Sequence, residues 1–283
     1  MLHVGGKVSV YSRLLTVVAY ADQATEAHFG SKMSSTVGYV LPGDDLAAGV
    51  RKAAALFSIL EMRMVHLSPQ EAAAAFGTSE LAAKATGGPL LAMKLAGADA
   101  VAAAAAAGIA ASADSAAAEA EERHFFGGGL AVPALTSAET SSLLVVRPHA
   151  VKKALVGDVL AELAKNNFSV IALQMLQLTR PNAVEFLEVY KGVVPEYTDW
   201  VNELVGGRCV AMQVTFNDAP ENSVPALRQL CGAHDPEIAS HLHPHSLRAL
   251  YGSSKVENCV HCTDLPEDGP LEVEYFFAIL PHA

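Results

Sequence analysis

One stretch of this 283-residue chain gathers the residue types that move a phosphoryl group. Arg248-Ala249-Leu250-Tyr251-Gly252-Ser253-Ser254-Lys255-Val256-Glu257-Asn258-Cys259-Val260-His261-Cys262-Thr263-Asp264 supplies an imidazole, a guanidinium, an amide and hydroxyls, and Glu272 follows His261 by eleven residues. Covalent phosphoryl transfer needs an imidazole with one ring nitrogen free and the other held in a hydrogen bond that fixes the tautomer. Glu272 is the carboxylate placed to hold it. The charge spread over the transferring group must also be met by donors, and guanidinium forks suit this better than flexible amines. Arg228 and Arg248 are the candidates. By itself, a histidine between two cysteines is more often a buried structural residue, so the constellation rather than the histidine carries the reading. Cys259-x-x-Cys262 also has the spacing of a redox pair, and His241, His243 and His245 with the cysteines that of a zinc site. The second C-x-x-C of a zinc ribbon and the βα setting of a redox motif are both absent, so no side chain is assigned to a metal. A solvent-exposed or partner-facing histidine cluster is the simpler account.

The elements that must position these residues repeat. Gly87-Gly88-Pro89-Leu90-Leu91-Ala92-Met93-Lys94 matches Gly206-Gly207-Arg208-Cys209-Val210-Ala211-Met212-Gln213 in character, each a turn leading into a strand. Upstream of each lies an apolar strand ending in proline, at Pro42 and Pro148, then an amphipathic helix and another strand. Downstream each unit ends in a Phe-Phe pair, Phe125-Phe126 and Phe276-Phe277. From proline to the last phenylalanine the first copy spans 84 positions and the second 129, and most of the deficit follows the Gly-Gly turn. The alanine-rich tract from Ala98 to Ala120 reads as thin helix packed on a sheet. Before both copies, Gly6 to Val18 alternates and is rich in β-branched residues, which predicts two short strands about a turn, either completing a sheet that lies elsewhere or ending a domain whose front this chain lacks.

Bulk properties bound the function. The length suits two domains, and alanine inflates a hydrophobic fraction of 51% while aromatics reach only 6%. A formal charge of -11 argues against sequence-independent nucleic-acid binding. No run is long and apolar enough to suggest a membrane span, and the start lacks a secretory pattern. Four cysteines in that context read as reduced thiols in the cytoplasm.

The residues around His261 resemble the nucleoside diphosphate kinase family. The family's Asn-x-x-His-Gly-Ser-Asp motif appears as Asn258-Cys259-Val260-His261-Cys262-Thr263-Asp264. Its arginine before a Leu-Gly step appears as Arg228, and its Pro-Gly-Thr-Ile-Arg loop as Pro244-His245-Ser246-Leu247-Arg248. The resemblance implies that His261 is phosphorylated, Glu272 holds its ring, Thr263 replaces the motif serine, Arg228 and Arg248 contact phosphates, and Asn258 contacts the ribose. It places Arg147 where the family's Lys-Pro-Asp lysine stands, and Tyr197 as the aromatic that stacks on the base. Departures fall at Arg147, at Leu187 for a tyrosine, at His234 for a threonine and at Cys262 for a glycine; they bear on rate and affinity. Val189-Tyr190-Lys191-Gly192-Val193-Val194 and the run from His261 to Gly269 are similar to the group seven branch found in cilia.

That resemblance implies an α+β chain of two tandem ferredoxin-like domains, each an antiparallel sheet with helices on one face. The expected divisions are a β-rich remnant at 1–30, a degenerate domain at 31–128, a linker at 129–141 and a complete domain at 142–283. The first copy lacks the motif histidine, since His66 and His124 lie outside any equivalent loop. Two roles follow. The first is a structural component of ciliary or flagellar doublet microtubules, bound in the axoneme to tubulin and other inner proteins. The second is a kinase that moves the ATP γ-phosphate to nucleoside diphosphates, with Mg²⁺ carried on the nucleotide.

Overall fold

The computed structural model describes residues 7–10, 13–16, 18–22, 24–25, 33–77, 79–127 and 140–280. Most of the expected 129–141 linker and much of the 1–30 remnant lie outside them. Near the start, β1 (Lys7–Val10) and β2 (Arg13–Thr16) pair antiparallel, Lys7 opposite Thr16.

The first unit runs β3 (Met33–Val40), α1 (Leu46–Leu56), β4 (Ser58–Val65), α2 (Pro69–Phe76), α3 (Glu80–Ala85), β5 (Leu90–Ala98), α4 (Ala100–Ala106), β6 (Ala110–Ala111) and α5 (Ser115–Phe126). The alanine-rich tract is thus two helices split by a short strand. Gly108, at φ 63°, takes the left-handed turn that stops α4. The Asp114 carboxylate starts α5 by accepting from the Ala117 amide at 2.8 Å.

The second unit runs β7 (Ser142–Val146), α6 (Pro148–Lys152), α7 (Val156–Lys165), β8 (Phe168–Leu176), α8 (Arg180–Phe186), α9 (Tyr197–Val205), β9 (Cys209–Phe216), α10 (Ser223–Cys231), α11 (Pro236–Leu242), α12 (Leu247–Tyr251), β10 (Val260–Cys262) and α13 (Gly269–Glu274). Helix starts are written locally. Thr179 with Asn182 forms a capping box for α8, and Pro148 opens α6 at a position where its missing N–H costs nothing.

The strands of both units form one antiparallel sheet, ordered β10-β7-β9-β8-β4-β5-β3-β6. Each half is ferredoxin-like, and the halves meet edge to edge where Arg63 of β4 pairs with Gln174 of β8. Both edge strands carry an irregularity, between Ile59 and Glu61 in β4 and between Val170 and Ala172 in β8. Counted from these, Arg63 and Gln174 are equivalent positions, so they sit on an approximate two-fold axis through the sheet. Beneath it, α1 and α7 cross. At the crossing a Cβ on Gly157 would come within 2.6 Å of Arg51 Cγ and 3.2 Å of the Ala47 carbonyl, so only glycine lets the helices approach. The Arg51 to Asp158 ion pair at 2.7 Å spans the same contact.

One core crosses the junction. Val50, Ala53, Met62, Met64, Leu91 and Met93 of the first unit join Leu144, Val146, Val159, Leu160, Val210 and Met212 of the second. A fully buried Val, Leu or Met is worth about 1.5–3 kcal/mol. On the opposite face each unit has its own smaller core. One holds Leu143, Val145, Trp200, Leu204, Phe276 and Phe277, the other Val37, Tyr39, Leu90, Ala92 and Phe125. The expectation of helices on one face is therefore corrected: both faces are covered. The strands record this, since all of Ser142–Val146 is buried without alternation.

Candidate active site

β10 delivers His261 opposite Val145 of β7. Its Nε2 lies 3.3 Å from Glu272 Oε2, and the same oxygen accepts from Thr263 Oγ1 at 2.9 Å. Thr263 Oγ1 in turn accepts from the Leu143 amide at 3.1 Å, which ties the pair to the central strand. With an N–H at Nε2 pointing to the carboxylate, Nδ1 keeps a free lone pair. No protein group among the described residues hydrogen-bonds Nδ1. Phe186 meets the imidazole edge to face, centroids 4.7 Å apart, and Tyr190 stands 6.3 Å away.

His261 lines a cavity of about 520 Å³ whose walls also carry Arg147, Arg228, Arg248, His234, His243 and Asn258. An acidic chain thus presents a cluster of cationic and donor groups in one concave place. Arg248 is held from behind, donating from Nη1 to the Gly232 carbonyl at 2.7 Å and from Nη2 to that of Val260 at 3.1 Å. Arg228 donates from Nη1 to the Asp264 carbonyl at 2.6 Å, and the Asp264 carboxylate accepts from Tyr190 Oη at 2.5 Å. Burial, and then that hydrogen bond, raise the Tyr190 phenol far above its usual range. Cys262 sits below, its thiol lowered by a hydrogen bond from Cys231 and by Arg248, while burial and the same bond raise Cys231.

The other expected contacts lie deeper. Arg147 is 4% exposed, with Nε 3.1 Å from Glu203 Oε2 and its guanidinium 5.2 Å over the Trp200 ring. Burial lowers its pKa, with Glu203 opposing. Asn258 is committed at both ends: Oδ1 accepts from Arg147 Nη1 at 2.9 Å and Nδ2 donates to the His234 carbonyl at 3.1 Å. Tyr197 does not line the cavity; its ring packs into the second unit's smaller core, because α9 turns its first residue inward. The aromatic wall is instead Phe186, Tyr190 and Trp200. Of these, Tyr190 lies in the Val189-to-Val194 run, three residues after Leu187, the position that matches the family's tyrosine. Trp200 and Glu203 gave no signal, since both sit on an ordinary amphipathic helix.

His243 and His245 border a second cavity of about 540 Å³, and among the described residues no group of three His, Cys, Asp or Glu could hold a metal. All four cysteines are free and buried. No helix among the described residues is long and apolar enough to cross a membrane.

The first unit keeps the frame of this site without its chemistry. Ala110 sits opposite Tyr39 on β3, as His261 sits opposite Val145. Ser112 donates to Glu121 nine residues on, the same separation as Thr263 to Glu272. The Tyr39 hydroxyl fills the place of the missing imidazole, donating to Glu121 Oε2 at 2.6 Å. Between β5 and β6 there is only α4, so Arg228, Arg248 and Asn258 have no counterparts.

This fold and site are those of a nucleoside diphosphate kinase-like domain, and comparison with known proteins agrees. The family model described as Nucleoside diphosphate kinase matches residues 140–280. Across nearly the whole chain the sequence is similar to Nucleoside diphosphate kinase homolog 7 of Mus musculus, 36% identical over 321 aligned positions that cover 99% of this chain and 80% of that one. The homolog 7 of Rattus norvegicus is 37% identical over the same span. The Nucleoside diphosphate kinase of Persephonella marina is 34% identical over 139 positions, 49% of this chain and 94% of that protein. Among solved structures, the Aquifex aeolicus nucleoside diphosphate kinase aligns over 50% of this chain and 96% of its own, at 29% identity and TM-score 0.45. The chain belongs to the nucleoside diphosphate kinase family, in its group seven branch.

Proposed function

We propose that the carboxyl-terminal unit transfers the γ-phosphate of a nucleoside triphosphate to a nucleoside diphosphate through phosphorylated His261. The observation that carries this is the held imidazole: Nε2 lies 3.3 Å from Glu272, and the ring lines the same cavity as Arg228 and Arg248, which leaves Nδ1 as the nitrogen free to react there. In the first half-reaction the Nδ1 lone pair forms the N–P bond as the bond to the β-phosphate oxygen breaks, and the diphosphate leaves with the electron pair. The second half-reaction reverses this with a different diphosphate. Glu272 stabilises the positive charge that develops on the ring, Thr263 orients Glu272, and the two guanidinium groups meet the phosphate oxygens. Arg147 and Asn258 brace the sugar end of the cavity, and the base lies against the aromatic wall in place of Tyr197. Asp264, the one carboxylate lining the cavity among the described residues, is engaged by Tyr190 and Arg228, so Mg²⁺ fits only as an ion carried on the nucleotide phosphates. It would neutralise charge there.

Incubation with γ-labelled ATP should label His261, and an added nucleoside diphosphate should discharge the label. His261→Ala should abolish labelling, and chelation of Mg²⁺ should suppress it. A wild-type protein that takes no label under these conditions sinks the reading.

A second reading is favoured by the first unit, which keeps its strands and its Ser112–Glu121 pair but has Ala110 in the nucleophile's place. A copy retained without chemistry suits a structural part of ciliary doublet microtubules, held in the axoneme among tubulin and other inner proteins. Fractionated axonemes test it: a protein that washes free of isolated doublets has no such role.

A further inference from the structure

The residue before the His261 strand is strained. Cys259 has φ 74°, a left-handed conformation unusual for a side chain with a Cβ, and it leads directly into Val260 and His261. Both of its backbone groups are held by the start of α6. The Cys259 carbonyl accepts from the Arg147 amide at 2.9 Å, and the Cys259 amide donates to His149 Nε2 at 3.0 Å. Asn258, one residue earlier, is held by the Arg147 side chain. A backbone amide can only donate, so His149 Nε2 is the unprotonated nitrogen and Nδ1 carries the hydrogen. That hydrogen goes to Glu203 Oε1 at 2.8 Å, and the same oxygen accepts the His149 backbone amide at 3.0 Å. The imidazole is 7% exposed, so water does not compete for either nitrogen.

We infer that His149 is a positioning residue for the nucleophile: as the neutral Nδ1–H tautomer, anchored on α9 by Glu203, it holds the left-handed Cys259 and thereby sets where β10 presents His261. This rests on the phosphohistidine reading for its functional meaning, but the clamp itself is geometry. Two variants separate the acceptor from the ring. His149→Phe keeps a ring and leaves the Cys259 amide without a partner. His149→Gln places an amide oxygen near the Nε2 position, where it can still accept. Should Phe not be accommodated, His149→Asn, whose amide reaches only the Nδ1 position, takes its part.

Two measurements are made on each full-length protein that keeps its thermal transition. The first is the rate and ATP dependence of His261 phosphorylation in a single turnover. The second is the rate of His261 carbethoxylation by diethyl pyrocarbonate, read by peptide mass spectrometry, which needs no nucleotide. Loss of the acceptor should slow phosphorylation about tenfold or more with half-saturation by ATP little changed, because misplacement of the reacting atom costs rate rather than binding. It should also change the carbethoxylation rate at least about threefold, and Gln should restore most of both. The inference is overturned if Phe or Asn behaves as wild type, or if Gln falls as far as they do. If wild type takes no phosphate at all, the function proposed above fails. Carbethoxylation then decides alone, and equal rates in wild type and the acceptor-less variant overturn the clamp.

Discussion

Thr263 stands between a buried partner and a half-buried one, accepting from the Leu143 amide and donating to Glu272. Thr263→Val would leave the Leu143 amide unpaired and Glu272 with His261 alone, at constant volume, and should cost about 1–3 kcal/mol of stability as well as activity. Thr263→Ser should keep both, since its hydroxyl can make the same bonds. Urea denaturation of the three proteins checks this. In the silent unit Ser112 plays the corresponding part, while Tyr39, its hydroxyl in the imidazole's place, makes stability depend on alkali. Burial first, and then Glu121, push its phenol far above the usual range near 10, and Tyr190 is raised in the same direction. The folded chain keeps these protons where the unfolded chain releases them, so the unfolded state binds fewer protons and stability falls as pH rises past about 10. Tyr39→Phe should flatten part of that loss, measured as the denaturation midpoint between neutral and alkaline pH. At this scale the sequence was most informative about His261, Glu272 and Thr263, whose motif spacing is set by one short strand and the helix after it. Arg147 was placed by its motif but not by its contacts. Its partners Glu203 and Trp200 come from a distant helix and carry no local signal.

α1 and α7 meet at Gly157 because nothing larger fits against Arg51 and Ala47. Gly157→Ala should therefore destabilise the chain by about 1–3 kcal/mol, against the gain that Ala usually brings to a helix interior. A shifted midpoint with an unchanged denaturant slope would confirm a local steric cost; a more stable variant would refute it. The repeat of strand, helix and strand was legible from the Gly-Gly turns and the paired prolines, since turn chemistry and apolar runs are local properties. The division of the alanine-rich tract was not. Alanine favours helix everywhere it occurs, so β6 is set by pairing with β3 and by Gly108, which only the folded sheet reveals. Helices on the second face were missed for a related reason. Strands buried on both sides lose the alternation that would report a covered face.

The two units share a sheet and a core, so they should unfold together. Trp200 is the single tryptophan and lies in the second unit, whereas far-ultraviolet circular dichroism reports both. The two signals should give one coincident transition in denaturant, and a separated pair would show that the shared core does not couple the units. The junction at Arg63 and Gln174 also consumes, within one chain, the strand edges that a lone unit would leave open. A fragment carrying only residues 142–280 would expose that edge and half of the common core, and should self-associate in gel filtration. Tandem architecture was readable as a repeat, but the edge-to-edge closure was not, because both strands look alike from the inside and the outside of such a pair. The silent unit's place in the core bears on how harm is inherited. Substitutions that cripple this protein should not cluster around His261. They should scatter across both halves, and a lesion at the Gly157 crossing would remove the His261 site together with the fold.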